Sequence, residues 1–197
     1  NNLAYVYGTF DQIQAIIEDL GYSPEEITAQ DLEDPNKLNF NKYSALFLNC
    51  GMINNLNNGV KENLTKFLND GGLIYASDWA ASYVRLLYPG KFSYLQDGDS
   101  QEVLADIVDQ RTQANLGKTK INIVYDLGGW VEIDTLSSDF KVIVKGDYYA
   151  YNSNLKTDRP LAVYKSEGKG VIVFTTFHNE ANATEDMRKI LQEFIFF

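Results

Sequence analysis

Residues 71–89 read "GGLIYASDWAASYVRLLYP": a glycine pair, a short apolar run, a corner of small residues, and then a helical pattern. A strand that turns sharply into a helix tolerates only small side chains two positions before and after the residue at its apex. That rule sets the register of the corner. Centred on Ser77, the flanking residues are Tyr75 and Trp79, both too large. Centred on Asp78, they are Ala76 and Ala80, so the apex belongs to an aspartate.

Working outward from this corner, the N-terminal half alternates strand and helix. "NLAYVYG" (2–8) is a β-rich run, and in "FDQIQAIIEDLGY" (10–22) Ile13, Ile16, Ile17 and Leu20 recur at helical spacing before Gly21. "EEITAQDL" (25–32) reads as a second strand. "YSALFLNC" (43–50) is the unbroken apolar run of a strand covered on both faces. A helix over "NNGVKENLTKFLNDGG" (57–72), with Val60, Leu64, Phe67 and Leu68 on one stripe, then leads into "LIYAS" (73–77). The fold expected is an α/β, doubly wound and mostly parallel central sheet with helices on both faces. Ligands in such sheets gather beyond the carboxyl ends of the strands.

The middle of the chain is less regular. "SQEVLADIVDQRT" (100–112) is expected to be helical, whereas "KINIVYDL", "WVEIDT", "FKVIVKGDYYAY" and "RPLAVYK" read as strands of a mixed or antiparallel extension at one sheet edge. "DLGGW" (126–130) lacks the Lys-Ser/Thr of a phosphate loop and reads as a turn, and "GKG" (168–170) as a hairpin turn. In "DYYAYN" alternation puts Tyr149 and Tyr151 on one face and Tyr148 on the other. A final strand precedes a helix whose expected cap is Asn182, with Glu185 completing a capping box.

Composition narrows the possible functions. The 197 residues suffice for one sizeable core, so a single domain over 1–197 is expected. Because Asn1 opens almost directly into a strand and the chain stops in "LQEFIFF", an excerpt from a longer polypeptide is the expectation. A formal charge of -10 without a basic cluster argues against nucleic acid. No apolar run approaches the roughly 20 residues that cross a bilayer, so the segment is expected to be soluble, without membrane contact. Cys50 is the single cysteine, which excludes an intrachain disulfide and leaves a cytoplasmic setting as the expectation. No cofactor or metal is expected, since Asp78, His178 and Glu180 lack a recognised ligand spacing.

The order of elements, the glycine–strand–corner–helix stretch, and a late strand ending in "FHNE" (177–180) together resemble the class I glutamine amidotransferase-like superfamily. The resemblance implies that Asp78 stands where that superfamily has a cysteine nucleophile, His178 where it has the catalytic histidine, and Glu180 where it has the residue that orients it. "NCG" (49–51) resembles the loop that supplies oxyanion-hole amides. Acyl transfer from glutamine needs a thiolate that attacks carbonyl carbon, which Asp78 cannot provide. The expected function is therefore a pseudoenzyme: a non-catalytic binding or accessory domain for an unknown small molecule or protein partner, with glutaminase activity absent. One alternative is a hydrolase using Ser77, Asp78 or Cys50 with His178 as base; another is a small-ligand sensor at the carboxyl edge of the sheet. Gly51, Trp79 and Asn179 are expected to border the ligand. Asp78 and His178 should face each other, with Glu180 beyond the imidazole. Bland readings stand beside these: Asp78 as an acid at a helix start, His178 as a structural histidine, Cys50 as a small buried hydrophobe.

Overall fold

A computed structural model describes residues 2–51, 56–179 and 183–197. Its centre is an 11-stranded mixed sheet. The parallel part comprises β1 (Leu3–Val6), β2 (Glu25–Ile27), β3 (Ala45–Leu48), β4 (Leu73–Ser77) and, from the far end of the chain, β11 (Gly170–Thr175). They lie in the order β2-β1-β3-β4-β11, every neighbouring pair parallel. Residues of β3 and β4 alternate between two cores. Phe47 and Tyr75 face one side, where α1 (Ile13–Asp19) and α5 (Glu185–Ile195) pack; Leu46, Leu48, Ile74 and Ala76 face the other, with α2 (Asn58–Asp70) and α3 (Ala81–Leu87). The apolar stripes explain this placement: Ile13, Ile16 and Ile17 are fully buried, as are Val60, Leu64 and Leu68, though Leu20 stays exposed at the end of α1.

The rest of the sheet is antiparallel and larger than expected, so that parallel strands are not the majority. It contains β5 (Phe92–Gly98), β6 (Gln101–Ile107), β7 (Lys120–Tyr125), β8 (Trp130–Leu136), β9 (Lys141–Ala150) and β10 (Asn154–Glu167). β10 joins the halves, pairing antiparallel with both β11 and β9. The expected helix over 100–112 is mostly β6. Val103, Ala105 and Ile107 are buried while Leu104 is 64% exposed, an alternation of period two that pairing with β7 and β9 fixes. A short helix, α4 (Gln110–Leu116), begins only after Asp109, whose side chain accepts from the Thr112 amide. The second expected strand is likewise cut short, because Thr28 and Asp31 form a reciprocal cap that turns the chain into a 3-10 helix at Ala29–Glu33.

The cap of α5 also differs from expectation. Its N-cap is Thr184, whose hydroxyl accepts from the Met187 amide at 3.0 Å and donates to the Asn122 carbonyl in β7 at 2.8 Å. Asn182 lies outside the described residues. In β9, Tyr148 is buried and Tyr149 exposed, as alternation requires. Among the described residues no helix is long and apolar enough to cross a membrane.

Candidate functional site

Three chain corners meet beyond the carboxyl ends of the parallel strands. β3 runs into Cys50, β4 into Asp78, and β11, which ends at Thr175, into His178 three residues later. Asp78 sits at a backbone φ of 44°. Left-handed geometry is costly for a side-chain-bearing residue, and such strain collects at functional corners. Ala76 and Ala80 are fully buried on either side, which is why only small residues fit there.

The Asp78 side chain is 5% exposed, and both its oxygens are engaged. Oδ1 accepts from the Val131 amide at 2.6 Å, and Oδ2 accepts from the Cys50 thiol at 3.3 Å. His178 Nδ1 lies 3.6 Å from the same Oδ2. Burial pushes the Asp78 carboxyl up to about 6, against the opposing pull of His178, the Val131 amide and the Cys50 thiol. Burial also pushes the Cys50 thiol far up, and the nearby Asp78 and Asp11 carboxyls add to it, so the thiol keeps its proton. Asp78 and His178 do face each other; Glu180 lies outside the described residues.

Ser77 belongs to a different set of contacts. Its hydroxyl donates to Asp11 Oδ2 and accepts from the Cys50 amide at 3.1 Å. Asp11 is 1% exposed, and its other oxygen accepts from the Asn179 amide at 3.1 Å. Burial raises the Asp11 carboxyl, with His178 the main opposing influence. Asp11 thus ties the loop after β1 to the ends of β3, β4 and β11. Sequence reasoning overlooked it; the available signal was a second acid between a strand end and a helix start. Asn179 also donates to the Gln12 carbonyl, and Gly51 packs so closely on Gly8 that a Cβ would sit 2.9 Å from its Cα. Both support the corner without lining the opening in front of it.

That opening is a cavity of about 240 Å³. Cys50, Asp78 and His178 form its polar floor, and Phe10, Trp79, Leu127 and Trp130 contribute apolar walls. Trp79, expected at a ligand, is held edge-on to Phe10 with ring centroids 5.4 Å apart, and its indole N–H donates to the Gly129 carbonyl at 3.0 Å. "DLGGW" is therefore a turn and also a cavity wall. Trp130 stacks on Tyr125 at 4.0 Å and lies over Gly98, where an added Cβ would come within 2.1 Å of the indole. The glycine in β5 is what lets the ring sit flat against the sheet.

No protein-family profile matches the chain, and no curated protein matches it in sequence. Solved structures do match in fold. PurLQS from Thermotoga maritima superimposes with a TM-score of 0.72 at 15% identity, over 99% of this chain and 97% of that one. A glutamine amidotransferase from the same organism gives 0.59 at 8% identity, over 90% of this chain and 75% of that one. A β-galactosidase from Rahnella sp. R3 gives 0.64 at 14% identity, over 99% of this chain but only 30% of that one. These likenesses are to the overall fold: the chain has the fold of the class I glutamine amidotransferase-like superfamily.

Proposed function

We propose that the chain is a binding domain on an amidotransferase-like scaffold, without glutaminase chemistry, and that its ligand is a small molecule with an apolar body and one polar end. The observation that carries this reading is the state of the three nucleophile candidates. Asp78 occupies the apex, with both oxygens engaged by the Val131 amide and the Cys50 thiol. Cys50 is held protonated by burial beside two acids, and the Ser77 hydroxyl is turned to Asp11. A covalent mechanism needs a nucleophile that a base can deprotonate toward an open site. The cavity, by contrast, has the apolar walls and few polar groups of a small-ligand site. An accessory role within a longer polypeptide is supported by the β-galactosidase, in which the matching region is 30% of the chain.

Purified protein incubated with glutamine is expected to release no ammonia above a buffer blank. Ammonia release that disappears in Cys50→Ser or Ser77→Ala would overturn the proposal. The positive side is a thermal-shift screen of small aromatic and aliphatic acids, amines and amides, in which hits should be lost on Trp79→Ala.

A second reading has one observation in its favour, the strained φ of Asp78 with His178 at 3.6 Å. In that reading an Asp78 carboxylate oxygen attacks an alkyl carbon as that carbon's bond to its leaving group breaks, and His178 then takes a proton from the water that attacks the carboxyl carbon of the resulting ester and releases the alcohol. Single turnover in ¹⁸O-labelled water would then leave label in the Asp78 carboxyl, whereas a binding domain leaves none.

A further inference from the structure

We propose that the floor of the cavity is a zinc-type metal site made by Cys50, Asp78 and His178. This deepens the binding reading and rests on it. The three side chains supply one sulfur, one oxygen and one nitrogen, and these donor atoms all lie within 4.8 Å of one another. That donor set suits zinc, for which three protein ligands leave the fourth position open to a ligand or water.

The spacing agrees in detail. Bonds of about 2.0–2.3 Å at tetrahedral angles separate neighbouring donors by about 3.3–3.8 Å. Cys50 Sγ and Asp78 Oδ2 are 3.3 Å apart, and Asp78 Oδ2 and His178 Nδ1 are 3.6 Å apart. Two of the three edges thus already have the required length, and the third, from Cys50 to His178, is no longer than 4.8 Å. The Val131 amide holds Asp78 Oδ1, which aims Oδ2 at the cluster, the orienting role that outer hydrogen bonds play around metals. The Ser77 hydroxyl accepts from the Cys50 amide and so fixes the backbone from which the sulfur projects. The fourth position faces the cavity, whose floor these three residues share. A cation there also relieves an otherwise unfavourable grouping, since Asp78 and Asp11 are both buried beside the thiol. On binding, the S–H bond of Cys50 breaks, a metal–sulfur bond forms, and the proton passes to the buffer. A zinc ion so placed would select a ligand whose polar end is a carboxylate, thiol or other metal-binding head.

The test is a Co²⁺ titration of the metal-stripped full chain, followed by its absorption spectrum. The expected result is one Co²⁺ per chain with a thiolate-to-cobalt charge-transfer band in the near ultraviolet. Cys50→Ser should abolish the band, and His178→Gln should weaken Co²⁺ binding at least about tenfold. Circular dichroism establishes that each variant is folded. Because His178 is the only histidine, its imidazole NMR signals give a second measurement on the unaltered protein, and they should shift on adding Zn²⁺. Absence of Co²⁺ binding would overturn the proposal. So would binding without a charge-transfer band, which would mark ions held by the acidic surface. The two readings fail separately: ammonia release from glutamine refutes the binding domain, whereas ligands that bind the chelator-treated protein undiminished refute only the metal.

Discussion

The parallel strands β2, β1, β3, β4 and β11 and the antiparallel strands β5 to β10 bury their side chains by different rules. In the parallel part every residue of β3 is buried, because helices cover both faces. In β6 burial alternates, with Leu104 exposed between the buried Val103 and Ala105. The contribution to the site divides along the same line. The parallel part supplies the reactive side chains of the floor, each at a strand's carboxyl end, while the antiparallel part supplies the wall from Val124 to Trp130. The amide of Val131 in β8 links one to the other at the floor itself by donating to Asp78.

The largest expected effect tests whether the two parts are energetically one unit. Phe47→Ala in β3 and Trp130→Ala in β8 each remove a large buried ring and should each cost about 3–5 kcal/mol in urea unfolding. If the sheet unfolds as a unit, both variants shift one transition seen alike by fluorescence and by circular dichroism. Two separated transitions, each moved by only one variant, would make the parts independent.

A smaller effect concerns the crossing point. Burial raises the folded-state pKa of Asp78 from the ordinary value of 3.8 to about 6. The sign follows from which state ionises first. Below about pH 4 the carboxyl is protonated folded and unfolded alike, and the folded state carries no ionisation penalty. As pH rises toward 6 and beyond, the unfolded chain ionises more readily, and the metal-free protein loses stability, by up to about 3 kcal/mol from this group. Asp78→Asn keeps the acceptor for Val131 and removes the ionisation. Its stability relative to the unaltered protein should therefore climb between pH 4 and pH 7 in chelator. A flat difference across that range would show that Asp78 is solvated and that the two parts do not enclose it.

The smallest effect is at Thr184, which caps α5 on the parallel side and bonds to Asn122 of β7 on the other. Thr184→Ala should cost about 1–2 kcal/mol, mainly through the lost cap. A loss below a few tenths would mean that this second crossing is solvent-exchanged and contributes little.

The same contrast governs what could be read in advance. The β1, β3, β4 and β11 segments announced themselves because residues buried on both faces leave unbroken apolar runs such as "ALFL" and "LIYAS". The corner at Asp78 was legible because its steric rule is local, extending only to Ala76 and Ala80. Cys50, Asp78 and His178 were each visible singly, but nothing in their spacing announces one cluster, since their proximity depends on which strands are neighbours. The cavity wall escaped because "DLGGW" looks like any turn until Trp130 is seen lying over Gly98. The segment that forms β6 was misread because Val103, Leu104 and Ile107 also fit a helical spacing, and only pairing with β7 and β9 decides between the two. Strand preference depends on partners that can be distant in sequence.

One hydrogen bond in the parallel core bears on the order in which the chain assembles. The Tyr75 hydroxyl meets the Thr175 hydroxyl at 2.8 Å, although the two residues are 100 positions apart. The hairpin of β10 and β11, by contrast, closes through a turn of a few residues. Loop-closure entropy favours the nearby pairing first. Loop closure thus favours an order in which β11 reaches β4 already paired to β10, and in that order His178 comes beside Asp78 only at the docking step. Until then a ribosome-bound chain synthesised through β4 exposes the edge of a finished strand, with no partner yet made to cover it.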